Sequence, residues 1–497
     1  MNRGSAIVIG SGIAGMAVAI RLSLQGYTVT VYEKNNYAGG KLSLIEKDGF
    51  RFDAGPSLFT DPSELELLFH QANEPINKYI RYRKIECSCK YFFSNGKIVH
   101  TWTDRDKLLK EFAEKLKEPE QVIAQYLDQS QKLYNSIGDT FLNHPLQKKE
   151  TWLRRSVLSS LKNVRPYLLI DTLNEYHESV FKTVEAVQLF NRFATYNGSN
   201  PYTAPAMMSL IPHIELNQGV YYPEGGMISI TKALYKLAQK KGVSFVFDTA
   251  VQKINIEEGE AKGIRVNDNN IAADIVVSNA DIYFTYKNLL GNETQVMNLE
   301  RKEKSSSAIV FYWGMKKQFL QLQLHNIFFS SDYKAEFDHI FTQQTIYKDP
   351  TIYINVTSKI EAGQAPEGKE NWFVMINAPA DHQQNWSELT SFLKKQVLKK
   401  LRGFLKDDIE SNIETEAILT PPQLEQNTGA WAGALYGISG NSRTSAFLRH
   451  PNFSNKIKGL YFCGGTVHPG GGIPLCLKSA KIVGDLVSSK QAEGRSE

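Results

Sequence analysis

A glycine-rich turn near the start of the chain constrains its fold more than any other feature. The segment AIVIGSGIAGMAVAIRLSLQGYTVTVYEK, residues 6–34, reads as a hydrophobic strand, a tight turn, a helix and a second strand. Gly10, Gly12 and Gly15 occupy positions that need an unusual φ, a close approach of the backbone to a pyrophosphate, and close packing of helix on strand. The helix N-terminus then points free N–H groups at the phosphates. The sequence therefore predicts a βαβ unit that binds a dinucleotide.

An acidic residue at the end of the second strand indicates which kind of dinucleotide fits. Glu33 stands where a carboxylate can accept hydrogen bonds from both ribose hydroxyls. The same charge would repel a 2′-phosphate, so an NADP-like ligand is disfavoured.

Two further turns follow this unit. Gly39 and Gly40 offer a second exposed backbone beside the nucleotide, and Lys41 supplies a cation near phosphates or a flavin ring. Gly55 and Pro56 form a sharp turn after the strand-like GFRFDA. Taken alone, the two turns could equally be ordinary hairpins without a ligand, but they stand close to the dinucleotide motif.

Composition and charge exclude several classes of protein. The chain has 497 residues, 42% apolar and 22% charged, which is typical of a globular protein with a large core. It contains no uninterrupted apolar run of about eighteen residues that would predict a spanning helix. The N-terminus reads as a strand without a signal-peptide cleavage site, so export is not expected. A net charge of +5 argues against a dedicated nucleic-acid binder and permits contact with anionic lipid.

The four cysteines predict neither disulfides nor a metal site. They are too few and too scattered for a disulfide framework, which fits a reducing cytoplasm. Cys87 and Cys89 form a C-x-C pair in a strand-like segment, but no second pair or histidine cluster completes a set of metal ligands.

A second glycine cluster lies in the last tenth of the chain, CGGTVHPGGGIPLCLKSAK at residues 463–481. We expect a strand over residues 459–463, a turn at 464–466, and a glycine-rich start to a helix that runs through Lys481. The N-terminal amides of that helix would stabilise the negative charge that a flavin ring gains on reduction. We therefore expect both glycine clusters to form one site.

The segment between Thr103 and Phe190 is helical in pattern. Leu108, Phe112 and Leu116 follow a Thr103–Asp106 capping pair at i, i+4 and i+8 spacing.

Further along, KKETWLRRSVLSSLKNVRPYLLI, residues 148–170, places an apolar stripe among basic residues, with Trp152 beside it. Such a helix is typical of monotopic membrane attachment, and equally of a solvated face over a core. The stripe consists of Leu153, Val157, Leu161 and Val164.

The remaining segments predict interleaved domains. Strand-like runs within 243–281 return to the nucleotide-binding sheet, whereas aromatic β-rich runs at 305–315, 351–356 and 371–378 are suited to a second sheet that covers a ligand. We find no fixed-period repeat and no low-complexity linker.

Seven motifs together resemble the bacterial phytoene-desaturase type of carotenoid desaturase. They are GSGIAG with Glu33, AGGK, FDAGPSLFTDP, NPYTAPA, VYYPEGGM, VVSNAD and CGGTVHPGGGIPLCLKSAK. The glycine loop is shared with all amine-oxidase-like flavoproteins, whereas the T-x-HPGGGIP ending and YYPEGGM are much more specific to carotenoid desaturases and isomerases. Within that group the sequence is most similar to the hydroxycarotenoid 3,4-desaturases.

The resemblance implies an amine-oxidase-like flavoprotein fold of the α/β (α+β) class. In that fold a Rossmann-like FAD-binding domain is interleaved with a β-sheet substrate domain and a helical, membrane-facing region. We expect the FAD-binding domain at residues 1–80, 220–300 and 420–497, the substrate domain at 81–102, 196–219 and 301–419, and the helical region at 103–195.

The resemblance further implies non-covalent FAD. Its contacts would fall on Gly10, Gly12, Ile13, Ala14, Glu33, Lys34, Gly39, Gly40, Lys41, Gly55, Pro56, Ser57, Leu58, Val251, Asn279, Gly465, Thr466, Gly472, Ile473 and Pro474.

The implied reaction is dehydrogenation of a C–C single bond in line with the double bonds of a polyene drawn from the membrane. We hypothesise hydride loss to flavin N5 followed by proton loss from the neighbouring carbon, with the protein positioning the chain. His468 is the one titratable side chain inside the flavin motif: it could take the proton or could only hold the glycine loop. Candidate aromatics for a substrate tunnel, which could also be core residues, are Phe193, Tyr196, Tyr202, Tyr221 and Tyr222.

The most specific expectation is 3,4-desaturation of a 1-hydroxylated acyclic or monocyclic carotenoid. Alternatives are a phytoene or diapophytoene desaturase, a carotenoid cis–trans isomerase, another flavin enzyme such as an amine or protoporphyrinogen oxidase, and a non-enzymatic carotenoid carrier. We expect a peripheral protein on the cytoplasmic face of the cell membrane, with oxygen or a quinone as electron acceptor and no nucleic acid as partner.

Overall fold

Two β-sheets of different construction organise the chain. The computed structural model describes residues 3–153, 157, 165–442, 444–446 and 448–493. The first sheet has five parallel strands in the order Ser244–Val246, Thr28–Tyr32, Ser5–Ile9, Ile275–Ser278 and Leu460–Phe462. Strands from the beginning, the middle and the end of the chain therefore meet in one sheet, as the sequence predicts.

The parallel sheet is covered by helices, which explains its uninterrupted hydrophobic strands. Val8, Val31 and Val277 are fully buried because a parallel sheet packs against other elements on both faces. The helix Ile13–Leu24 contacts both Ile228–Lys240 and Ile473–Glu493. The last helix continues beyond Lys481, where the sequence analysis took it, to Glu493.

The second sheet has seven strands and is largely antiparallel. Its order is Ile413–Leu419, Ser307–Met315, Glu370–Ala378, Ile352–Asn355, His325–Phe328, Cys87–Phe92 and Ile98–Trp102, with one parallel pair between His325–Phe328 and Cys87–Phe92. One face, including Phe311, Trp313 and Trp372, packs against the helix Trp386–Leu405. Because side chains alternate along a strand, Val310 and Tyr312 lie on the opposite face, where the site described below is found.

The helical segment after Ile98–Trp102 follows its predicted pattern but not its predicted cap. Leu108, Phe112 and Leu116 are fully buried on one side of Arg105–Leu116, as expected. The predicted Thr103–Asp106 capping pair is wrong, since the Asp104 side chain caps the helix by accepting from Lys107 N at 2.9 Å. Asp104 is the cap because it is the residue directly before the first helical residue, the position from which a side-chain oxygen can accept from the free N–H groups of the first turn.

Smaller elements complete the fold. Three short sheets are formed by Lys253–Glu257, Glu260–Val266 and Asn269–Ala272; by Leu44–Lys47 and Phe50–Asp53; and by Phe59–Thr60, Val220–Pro223 and Tyr82–Lys84. The remaining α-helices described are Ser63–Gln71, Glu120–Leu133, Asp139–Asn143, Lys149–Trp152, Tyr167–Ile170, Leu173–Val180, Val184–Asn191, Ile282–Phe284, Glu293–Glu300, Tyr333–Asp338 and Pro421–Thr428.

Two expectations concern the periphery of the molecule. Within the described ranges, no helix combines the length and apolar character that crossing a membrane requires. Much of the segment predicted to carry an apolar stripe among basic residues, namely residues 154–156 and 158–164, lies outside the described residues. The domain boundaries stay a prediction.

A buried carboxylate beside the second sheet predicts a measurable pH dependence of stability. Glu336 Oε1 and Oε2 accept from Thr351 N at 2.9 Å and Thr351 Oγ1 at 2.6 Å, and burial raises the pKa of Glu336 from 4.5 to about 7. The folded state therefore binds the Glu336 proton more tightly than the unfolded chain, so this contribution to stability is lost as the pH rises through that window.

We expect Glu336→Gln to abolish this component, changing the pH dependence of the unfolding free energy by up to about 3 kcal/mol between about pH 4 and about pH 8. Urea unfolding of the wild type and of Glu336→Gln across that pH range measures both unfolding free energies. Subtracting one from the other removes the contributions of other buried groups, which the two proteins share. Parallel curves for the two proteins would contradict the prediction.

Candidate cofactor and substrate site

A cavity of about 1080 Å³ lies between the carboxyl ends of the parallel strands and the open face of the seven-stranded sheet. We call it the central cavity. It is lined at one end by the glycine loops of residues 10–14, 39–41 and 464–466, and elsewhere by residues of the second sheet and the helical segment. Its volume is slightly above the range of about 300–1,000 Å³ usual for a single small-molecule site. The carboxyl edge of a parallel sheet is where nucleotide ligands bind in open α/β folds.

The first glycine loop has the predicted geometry. Gly10 has φ +93°, which favours glycine, and a Cβ on Gly15 would lie 2.1 Å from the carbonyl oxygen of Gly10. Gly12 precedes the helix Ile13–Leu24 and no side chain caps that helix, so the amides of its first turn remain available to a phosphate. Gly10 and Gly12 line the central cavity, whereas Gly15 packs the helix against the loop.

Glu33 both lines the cavity and fixes the loop. Its Oε2 accepts from Ser11 N at 2.8 Å and Ser11 Oγ at 2.7 Å, and its Oε1 accepts from Asn35 N at 2.9 Å. A carboxylate has about four lone-pair sites, and these three contacts leave about one of them for a ribose hydroxyl. The bond to Ser11 was not predicted from the sequence.

The second and third turns meet each other at the cavity. A Cβ on Gly55 would lie 1.8 Å from the carbonyl oxygen of Lys41, which explains a glycine at this position. Lys41 Nζ donates to the carbonyl oxygen of Leu435 at 2.8 Å, and burial lowers the pKa of Lys41 while the Asp281 carboxylate opposes this shift. Lys41 therefore ties the N-terminal turns to a loop from the last fifth of the chain.

Asn279 joins the two glycine clusters. It follows the strand Ile275–Ser278, and its Nδ2 donates to the carbonyl oxygen of Cys463 at 3.0 Å. A Cβ on Gly12 would lie 2.8 Å from Asn279 Oδ1, and one on Gly464 would lie 2.6 Å from Asn279 Nδ2. The Asn279 amide is thus packed between residues that are more than four hundred positions apart in the chain.

The C-terminal cluster closes the same end of the cavity. Gly465, Thr466 and Gly472 line the cavity, and Gly472 has φ +103° directly before the helix Ile473–Glu493. The first turn of this helix contains no acidic residue, so its N-terminus keeps its partial positive charge. The structure thus brings the two glycine clusters together, as the sequence predicts.

Every residue that the sequence predicts as a cofactor contact lines the central cavity. The residues present fit FAD: two helix N-termini and a strand-end carboxylate converge there, and a side chain at Gly12, Gly55 or Gly471 would collide with its neighbours. The individual contacts stay a prediction.

His468 lies behind the lining of the cavity. Its side chain is buried, and burial lowers the pKa of His468 to about 4, so the ring is neutral near pH 7. Among the described residues, the neighbouring Pro469 lines the cavity and His468 does not. Its role as proton acceptor stays a prediction.

Of the five predicted tunnel aromatics, Tyr196 lines the central cavity. The other four are packed elsewhere in the described part of the chain. Phe193 lies under the Arg192 guanidinium, Tyr202 contacts Phe337, Tyr221 packs against Phe59 and Tyr82, and Tyr222 donates to Glu361 Oε2 at 2.7 Å.

Most residues that form the substrate end of the cavity were not predicted from the sequence. Tyr312, Tyr353, Phe373 and Met375 lie on the open face of the second sheet. The signal that could have found them is the alternation along Ser307–Met315 and Glu370–Ala378, because one set of alternate residues must face away from the covering helix. Other missed lining residues are Ser88, Tyr134, Phe141, Arg192, Met207, Met208, Ile211, Ile214, Glu215, His325, Tyr333 and Tyr436.

Comparison with known proteins agrees with this geometry. A family model described as flavin containing amine oxidoreductase matches residues 13–487. The chain is 46% identical over 487 residues to a 1-hydroxycarotenoid 3,4-desaturase of Flavobacterium sp. (strain P99-3), covering 98% of this chain and 99% of that protein. It is 30% identical over 501 residues to a 4,4'-diaponeurosporene oxygenase of Staphylococcus haemolyticus (strain JCSC1435), covering 99% of each.

A solved structure of an oxidoreductase from Methanosarcina mazei matches with a TM-score of 0.63 at 17% identity, covering 98% of this chain and 100% of that one. At this identity the likeness shows the fold alone, and it confirms the predicted architecture.

Proposed function

The chain belongs to the flavin-containing amine oxidoreductase family, and we propose that it is an FAD-dependent carotenoid desaturase. The substrate we propose is a 1-hydroxylated acyclic or monocyclic carotenoid, desaturated at its 3,4 bond. The observation that carries this proposal is the 46% identity, over nearly the whole of both chains, to a protein of that named activity. The substrate end of the central cavity supports it, since a flat aromatic and methionine-lined space suits a long conjugated chain.

Bound FAD would supply the chemistry of the oxidation by accepting a hydride, that is two electrons and one proton, from one carbon of the substrate, while the neighbouring carbon would lose the second hydrogen as a proton. The protein holds the polyene against the open sheet face through Tyr312, Phe373 and Met375, which fixes which carbon atoms lie next to the cofactor end. Met207 and Met208 provide deformable walls, and the apolar lining excludes water. The substrate loses two hydrogens in all, and oxygen or a membrane quinone would take up the electrons.

An anaerobic single turnover tests the reaction class. We expect holoenzyme mixed with one equivalent of a 1-hydroxylated acyclic carotenoid to lose its flavin absorbance, while the polyene bands move to longer wavelength. Mass spectrometry should find a product lighter by two hydrogens.

Three other results would contradict desaturation. A product heavier by one oxygen when air is admitted would indicate an oxygenase, like the named activity of the staphylococcal relative. An unchanged mass with altered band shape would indicate an isomerase. Unchanged carotenoid and unchanged flavin would indicate a carrier.

We further propose that the protein is peripheral on the cytoplasmic face of the membrane and takes its substrate from the lipid. Leu153 and Ile170 are 78% and 59% exposed, and Lys148 and Lys149 shortly precede Leu153 in the sequence. Trp152 there contacts the ring of Phe141, with centroids 6.1 Å apart, and Phe141 lines the central cavity. This contact supports a route from an apolar and basic surface to the cavity.

Vesicle flotation tests the membrane proposal. We expect Leu153→Asp with Ile170→Asp to lower binding to anionic phosphatidylglycerol vesicles about tenfold or more, through lost apolar burial and added negative charge. Leu320→Asp is the matched control, because Leu320 is 85% exposed in a loop of the second-sheet region. Equal binding of all three proteins would contradict the proposal.

A further inference from the structure

Four polar residues lie close together, largely buried in the wall of the substrate end of the cavity. They are Ser88 on the strand Cys87–Phe92, Arg192 and Tyr196 on the short 3-10 helix Arg192–Asn197, and Glu215 on the turn His213–Gln218. We call these four residues the polar cluster. All four line the central cavity, yet Ser88 and Glu215 are only 1% exposed and Arg192 8%.

The polar cluster is only partly satisfied from within. Arg192 Nη2 donates to Glu215 Oε2 at 2.7 Å, and the Tyr196 hydroxyl donates to the same oxygen. In the part of the chain that the structure describes, Glu215 Oε1, Arg192 Nε and Ser88 Oγ have no hydrogen-bond partner. In the described part of the chain, unpaired buried atoms also occur away from the cavity, at Ser209 Oγ and Glu118 Oε2, so the lack of a partner points to a ligand group only together with the position of Ser88, Arg192 and Glu215 in the cavity lining.

The cluster is also held in position. The Arg192 guanidinium lies over the Phe193 ring at 4.4 Å from its centroid and also donates to the Tyr91 hydroxyl. Arg192 is therefore fixed by contacts on several sides and is not free to turn its Nε toward another protein acceptor.

The unpaired atoms favour a neutral alcohol as the ligand group. An alcohol O–H can donate to Glu215 Oε1, while its oxygen can accept from Arg192 Nε or Ser88 Oγ. A carboxylate would be repelled by Glu215, an ammonium by Arg192, and a hydrocarbon would leave all these atoms unpaired.

A chain of polar contacts leads from this region to the cofactor end. Ser57, a predicted cofactor contact, bonds Tyr353 Oη at 2.8 Å, which bonds His325 Nδ1 at 2.8 Å. Burial and then the Arg192 charge lower the pKa of His325 to about 3, which places His325 within electrostatic range of the cluster. His325 and Tyr353 therefore connect the surroundings of the cluster with Ser57.

We propose that the polar cluster is the subsite for the hydroxyl group of the polyene substrate, with Glu215 as acceptor and Arg192 and Ser88 as donors. This assignment rests on the proposed function, in which the substrate carries a hydroxyl near the bond that is oxidised. The polar cluster selects the hydroxylated polyene over the hydrocarbon and fixes the position of the polyene along the cavity.

Binding to holoenzyme tests this assignment without turnover. The probes are a 1-hydroxylated acyclic carotenoid and its deoxy analogue of equal length and conjugation, in detergent micelles, with fluorescence quenching as the readout. We expect the wild type to prefer the alcohol by about 10- to 100-fold, the value of a hydrogen bond to a charged group. Glu215→Gln should lose about tenfold or more of this preference, and Ser88→Ala about threefold or more.

Two matched variants separate recognition from structure. Ser209→Ala removes a hydroxyl that is equally buried and equally unpaired among the described residues but does not line the cavity. Glu118→Gln alters a buried carboxylate that also has one unpaired oxygen in that part of the chain and lies away from the cavity. Both should keep the wild-type preference. If Glu215→Gln fails to fold, Ser88→Ala still tests the hydroxyl subsite, because this substitution removes only an unpaired hydroxyl.

The outcomes distinguish this assignment from the proposed function. Equal wild-type affinity for both carotenoids, or equal weakening of both by Glu215→Gln and Ser88→Ala, would overturn the hydroxyl subsite even if the enzyme desaturates. A preference for the alcohol that Glu215→Gln and Ser88→Ala reduce by the expected factors would support the subsite even if no desaturation occurs.

Discussion

Replacing Gly15 by valine is expected to give a protein that does not retain FAD and has lost at least about a thousandfold of its activity, since the cofactor carries the oxidation. A Cβ at this position would lie 2.1 Å from the Gly10 carbonyl oxygen and 2.7 Å from Asn279 Oδ1. The first of these atoms belongs to the backbone of the glycine loop, so the loop itself must move. Flavin absorbance after gel filtration measures the retained cofactor.

A glycine in another helix provides the control for Gly15→Val. Gly403 lies in Trp386–Leu405, and a Cβ there would meet nothing within 4 Å. Gly403→Ala should therefore keep its FAD and gain about 0.5–1 kcal/mol of stability, because alanine loses less backbone entropy in a helix. Full FAD content in Gly15→Val would contradict the role of this glycine.

Replacing Asn279 by aspartate is expected to weaken FAD binding about a hundredfold or more, with little change in side-chain volume. The aspartate cannot donate to the Cys463 carbonyl oxygen, which the asparagine reaches at 3.0 Å, and its charge would face the phosphates of the cofactor. Loss of this bond leaves a carbonyl unpaired, at a cost of about 1–3 kcal/mol, in addition to the repulsion of the ligand. Titration of the apoprotein with FAD measures the change.

The matched variant is Asn355→Asp in the second sheet. Asn355 Nδ2 donates to the carbonyl oxygen of Leu324 at 3.1 Å and Asn355 does not line the central cavity. Asn355→Asp should lose a similar amount of stability and keep its affinity for FAD. If the two variants bind FAD equally well, Asn279 does not join the two halves of the cofactor site.

The cofactor end of the cavity could be predicted from the sequence because its determinants are local. Gly10, Gly12 and Gly15 lie in one turn and one helix, and their spacing alone predicts the structural role of each glycine. The contact of this loop with the C-terminal cluster was also predictable. Each cluster places a glycine-rich turn before a helix, and the N-terminus of such a helix binds negatively charged ligand groups. The contact between Asn279 and Cys463 then explains how the two are joined.

The substrate end could not be predicted in the same way because it depends on long-range pairing. Tyr312 and Phe373 face the cavity because Ser307–Met315 and Glu370–Ala378 pair in one register. A shift of either strand by one residue would turn its own side chain toward the covering helix. Tyr222 is aromatic like the lining residues, but its hydroxyl bonds Glu361 and the ring lies elsewhere. The residue type alone therefore does not distinguish an aromatic residue that lines the cavity from one that is packed elsewhere.

The polar cluster could not be predicted from the sequence for the same reason. Glu215 and Arg192 are twenty-three positions apart, and nothing in either local segment marks them as a buried pair. Only the fold shows that Glu215 Oε1 is left at a cavity wall without a partner among the described residues.

The central claim is that two distant parts of the chain form one FAD site. The most direct test is the flavin content of the purified, folded protein, read from its absorbance spectrum and from the cofactor released on denaturation. We predict one FAD per chain, released without covalent attachment and taken up again by the apoprotein. A folded protein that is colourless and does not bind added FAD would contradict the account.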